Sequence, residues 1–151
     1  MREKRYQIPW SLLILACVIA GAVLRVWAAF DNFWLDEIWS LNLAQSIRHP
    51  WEIITLHRDN NHMLNTFYLF LVGKQQSWFW YRILSVVTGA ASVAIIAYGT
   101  LRRGFLEAAT ATALAALSYP LILYASEARG VCTCCVVFVD LLLPLSRLLA
   151  A

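Results

Sequence analysis

Apolar residues in this chain come in long uncharged blocks. Ser11 to Ala29 is interrupted by a single charge, Arg25. Ile83 to Leu101 runs unbroken between Arg82 and Arg102, and Ala108 to Ser126 between Glu107 and Glu127. At ~1.5 Å per residue each block covers the ~30 Å hydrocarbon core of a bilayer, which predicts three membrane-spanning helices. A fourth block, Gly130 to Ser146, carries Asp140 and Pro144 and is a weaker candidate. Met63 to Gly73 is apolar but too short to cross, so an interfacial helix is predicted there. The expected fold class is all-α, a polytopic membrane protein of three to four transmembrane helices with interfacial helices in a long first external loop.

Flanking charge orients these elements. Met1 to Arg5 gives the first block a basic start, as in a signal peptide. The block is long for that role, contains Arg25 and has no small-x-small cleavage site before Phe30-Asp31, so a retained anchor is expected. Arg2, Lys4 and Arg5 place the N-terminus in the cytoplasm, and Arg102-Arg103 returns the chain there. Residues 30–77 then form one external loop of a multi-pass protein in the cell inner membrane. In that loop Leu35, Ile38, Trp39, Leu43, Ala44 and Ile47 recur at helical spacing and predict a surface helix ended by His49-Pro50. Asp59-Asn60-Asn61 would cap a second helix through Leu64, Phe67, Tyr68 and Leu71.

Composition agrees. The chain is 61% hydrophobic, above the roughly 45–50% of soluble domains, which favours the membrane class. Its basic residues are scattered, so no nucleic-acid partner is expected. The lipid bilayer is the expected surrounding.

The densest candidate chemistry is Asp36-Glu37, just beyond the first block and flanked by Trp34 and Trp39. Carboxylates are costly at a membrane boundary and mark function there more often than packing. In the first turn of a helix the free amides and the dipole favour their ionised form, which suits a general base or a metal ligand. His57-Arg58-Asp59-Asn60-Asn61-His62 is a second polar cluster. No metal site is assigned from spacing, since none of it matches a zinc pattern. Asp36, His57, Asp59 and His62 nevertheless carry the ligand types that a divalent metal ion would use as a cofactor. Arg82 and Arg129 bound the second and third spans, where a guanidinium can grip phosphate or simply snorkel. Arg25 is expected to snorkel outward, and Glu127 to pair with Arg129. Cys132, Cys134 and Cys135 lack metal or redox spacing and read as apolar filler.

Together these residues resemble the N-terminal part of the GT-C membrane glycosyltransferases, in particular bacterial relatives of protein O-mannosyltransferases and of the lipid A aminoarabinose transferase. The resemblance covers about residues 5–130. It is carried by Trp34-Leu35-Asp36-Glu37, by Asp59-Asn60-Asn61-His62-Met63-Leu64 (similar to the family's His-Pro-Pro-Leu segment), by Trp80 to Ser85, and by Tyr119-Pro120, Tyr124 and Ser126 to Gly130. It implies transfer of a sugar from a polyprenyl-phosphate donor to a hydroxyl on a lipid, glycan or protein acceptor at the outer face of the membrane. Asp36 would be the catalytic carboxylate, assisted by Glu37. Arg82, Arg129 and His62 would bind the donor phosphate. Met63 stands where the family commonly has proline, which weakens the transfer of His62.

Residues 1–130 read as the N-terminal part of a GT-C catalytic module, with little or no activity expected in isolation. Residues 131–151 are atypical, and a shifted reading frame is expected to explain them. Val131 to Val136 can be encoded by GTA TGC ACT TGC TGT GTT, and dropping the first base yields Tyr-Ala-Leu-Ala-Val, the aromatic and aliphatic continuation of the family. The competing class is a small non-enzymatic membrane scaffold or subunit, which the short chain favours and the long polar loop does not.

Overall fold

The computed structural model of the chain describes residues 3–55 and 62–128. They form seven helices, α1 (Glu3–Ala28), α2 (Leu35–Ser46), α3 (Glu52–Thr55), α4 (Met63–Val72), α5 (Phe79–Thr100), α6 (Phe105–Leu117) and α7 (Tyr119–Ser126), with no strand among the described residues. Two segments, Trp10–Ala28 of α1 and all of α5, are long and apolar enough to cross a membrane. The fourth candidate block lies outside the described residues.

The expected third span is not one straight helix. α6 and α7 meet at 55° and make a third crossing only if taken together. The break follows from Pro120, which has no N–H to give to the carbonyl of Ala116 four residues back. The chain instead restarts, with Ser118 extended (φ −64°, ψ 112°) as N-cap and Pro120 in the first turn of α7, where the missing donor costs nothing.

The carbonyls exposed by that break are satisfied from α1. Arg25 donates through Nη2 to Ala115 O at 3.1 Å, and through Nη1 to Ala116 O at 3.4 Å and Gly21 O at 2.8 Å. Arg25 is fully buried, so the snorkelling expected of it is corrected: its charge turns inward to helix carbonyls. Gly21 allows the approach. A Cβ there would lie 3.0 Å from Ala116 Cβ and 3.2 Å from Ala116 Cα, so that α6 would have to give by a few tenths of an ångström. The contacts between α1, α5 and α6 are rich in small residues, Ala97, Ala108, Ala109, Ala115 and Ala116, packed with Ile14, Val18 and Val93. Small side chains let helix backbones approach where dispersion has to hold them together. The hydroxyls of Thr88, Thr100 and Thr112 bond carbonyls four residues back, which removes the cost of placing them among apolar groups.

α2 and α4 pack on each other at the end where α1 stops and α5 begins, with Leu41, Ala44, Leu69, Tyr81 and Ala128 between them. The buried residues of α2 are Glu37, Ser40, Leu41, Leu43 and Ala44, with Ile47 buried just past its end, whereas Leu35, Ile38 and Trp39 face out. The apolar face expected for this helix is therefore split, because a carboxylate occupies its first core position. α4 is capped by His62 with no side-chain bond. The caps expected at Asp59, Asn60 and Asn61 lie outside the described residues. Gly73, at φ 63°, ends α4 with its N–H on Leu69 O.

Candidate functional site

Glu37 sits at the third position of α2 and reaches back to accept the N–H of the N-cap residue Trp34 on Oε2 at 2.9 Å. It is fully buried, as is Arg82 in the first turn of α5. Arg82 donates Nε to Glu37 Oε1 at 2.8 Å and Nη2 to Oε2 at 2.6 Å, the paired fork that guanidinium and carboxylate geometry favours. Its other donors go to backbone carbonyls just past the end of α1: Nη1 to Ala29 O at 3.0 Å and Asp31 O at 2.7 Å, and Nη2 to Asn32 O at 2.8 Å. Glu37 Oε1 also accepts the N–H of Ala128 at 2.6 Å. Every N–H of Arg82 and both oxygens of Glu37 are thus engaged, and this offsets the desolvation of two buried charges.

The knot ties four parts of the chain together. It holds the α1–α2 connection, the start of α2, the start of α5 and the segment after α7. Aromatic stacking reinforces it, Phe30 on Phe79 at 4.8 Å and Phe33 on Trp78 at 4.7 Å. Phe33 also lies 5.3 Å from the Arg82 guanidinium carbon, within cation–π range. From α4, the buried Asn65 donates Nδ2 to Ala128 O at 2.8 Å, so both backbone groups of Ala128 are held by side chains. Below α4, Tyr68 donates its hydroxyl to Trp80 O, and the Tyr81 hydroxyl accepts the N–H of Gln75 at 2.7 Å. Burial raises the Tyr68 pKa above its ordinary value, which keeps that donor protonated.

Asp36 differs from its neighbour in burial. One residue earlier in the same first turn, it is exposed. The arrangement therefore separates the two carboxylates, one turned inward as a tie and one turned outward beside the exposed Trp34 and Trp39. His62 is half-buried at the start of α4. Arg129, His57 and Asp59 lie outside the described residues. Glu127 is buried at the end of α7. Among the described residues no group of three or more His, Cys, Asp or Glu is placed to hold a metal ion.

Comparison of the chain with protein-family models, with curated proteins and with solved structures returned no match. The resemblance thus rests on the quoted residues alone. Sequence reasoning missed Asn65, whose signal was a lone amide inside an otherwise apolar run. It also missed the partnership of Glu37 with Arg82, which 45 residues separate and no local pattern announces.

Proposed function

We propose that this chain is a multi-pass inner-membrane protein and the N-terminal portion of a GT-C-type glycosyltransferase, with its site on the outer face around Asp36. The observation that carries the reading is the division of labour in the Asp36-Glu37 pair. Glu37 and Arg82 lock the first turn of α2 to the ends of α1 and α5, and so hold an exposed carboxylate at the place where two membrane-length helices emerge. A base held that way can take the proton of an acceptor hydroxyl as the sugar leaves its lipid phosphate.

On this reading Arg82 and Glu37 take positioning roles. With all of its donors engaged, Arg82 supports the site and leaves no N–H for a donor phosphate. Glu37 likewise positions and does not assist in proton transfer. The cation for the leaving phosphate then falls to Arg129 and His62, or to a divalent metal ion. The second reading, a non-enzymatic scaffold, is favoured by that same buried pair, because a satisfied ion knot needs no substrate to explain it.

Photolabelling decides between them. The chain in membranes is irradiated with a photoreactive polyprenyl-phosphate analogue and, separately, with the matching neutral polyprenol. Preferential labelling of residues 30–77 by the phosphate supports the enzyme reading. Equal labelling by both lipids sinks it in favour of the scaffold.

A further inference from the structure

The burial pattern of α4 is reversed from that of a helix on a water-facing surface. Its inward residues are the polar Asn65 and Thr66 together with Leu69, each no more than 2% exposed. Its outward residues are Met63, Leu64, Phe67 and Leu71, each at least 40% exposed. Water would favour the opposite choice, since exposed apolar area is costly and amides are readily solvated. The short α3 adds Trp51 and Ile54, also largely exposed. Between α3 and α4 lies an open cleft of about 620 Å³ lined by Pro50, Ile53, Ile54, Met63, Leu64 and Phe67 among others, without a charged side chain among the described residues.

The height of this face is set by α5. Tyr68 is bonded to Trp80 O, and Leu69 packs with Tyr81, so the middle of α4 lies level with the first turn of a membrane-length helix. Trp78 and Trp80 are exposed there, as aromatic residues are at the boundary between headgroups and acyl chains. The exposed apolar face of α4 therefore lies at the height of the exposed aromatic start of α5.

We infer that the α3–α4 unit is seated in the membrane leaflet at which α1 ends and α5 begins, with Leu64, Phe67 and Ile54 against phospholipid acyl chains and the cleft between the two helices filled by them. This rests on the reading that α1 and α5 cross the membrane. It does not depend on any enzymatic activity. A helix held in this way bonds its own backbone and turns its polar side chains to protein, as a non-aqueous surrounding requires.

Nitroxide accessibility tests it. Cys17, Cys132, Cys134 and Cys135 are replaced by alanine, and single cysteines are placed at Leu64, Ile54, Ile19 and Asn42 of the full chain in phosphatidylcholine vesicles. Collisions with oxygen should exceed those with an aqueous nickel chelate at 64 and 54, as at 19 on α1, with the opposite balance at 42 on α2. Nickel-dominated collisions at 64 and 54, with 19 still oxygen-rich, would overturn the inference and leave the membrane reading standing. Low collisions with both reagents at 64 and 54 would mean that protein covers the face, and would overturn it equally. A nickel-accessible label at 19 would instead defeat the membrane reading beneath it.

Discussion

Glu37 and Arg82 form a fully desolvated pair in which neither residue has a good substitute. Glu37→Gln leaves a buried guanidinium without its counter-charge, a change that typically costs ~3–5 kcal/mol. Arg82→Lys should be nearly as damaging as Arg82→Ala, because an ammonium cannot serve a carboxylate fork and three carbonyls together. Unfolding of the variants in detergent measures both effects. The double variant Glu37→Met/Arg82→Met should lose clearly less than the sum of the two single losses. Strict additivity would mean that the pair is not coupled. Asp36 calls for another readout. Asp36→Asn removes the charge and keeps the shape, so the fold should survive. In a complete enzyme context, transfer should fall by ~10²–10⁴-fold if this carboxylate is the general base. Normal turnover in a full-length relative with the matching change would end that assignment.

Among the elements, the bent pair α6–α7 depends on a neighbour. Pro120 deprives Ala116 O of its helical donor, and Arg25 reaches across from α1 to the carbonyls of Ala115 and Ala116. Arg25→Met should therefore destabilise the chain by ~1–3 kcal/mol for each buried carbonyl left without a donor. In a Pro120→Ala background, where the chain can restore its own N–H, the same change should cost less. Equal costs in both backgrounds would show that Arg25 stabilises the bundle by other means. Gly21 belongs to the same contact. Gly21→Leu should separate α1 from α6, and loss of protease resistance in α6 would report it.

For the whole molecule, the proposed multi-pass reading predicts that residues 31–77 lie on one side of the membrane. Single cysteines at Gln45 and Gln75, both exposed, should react with an impermeant thiol reagent added outside cells when the native cysteines are absent. Labelling of either position only after permeabilisation would invert the topology and remove the site built on it.

Much of this architecture is present in the order of residues. Blocks of apolar side chains long enough to cross a bilayer set α1 and α5, because helix length and hydrocarbon thickness leave little choice. The Met63–Gly73 run predicted a short apolar helix, as α4 is with its 10 residues, and the Asp36-Glu37 pair stood out by its charge. The division of that pair was decided in three dimensions. Adjacent residues on a helix point about 100° apart, so one carboxylate meets α5 while the other remains exposed, and which one turns inward depends on how α2 packs. Partners for Arg25 and Arg82 were equally hidden. Each satisfies backbone carbonyls far away in sequence, and backbone carbonyls are present at every residue. Only the break at Pro120 and the end of α1, brought beside these side chains by packing, select the carbonyls that need a donor.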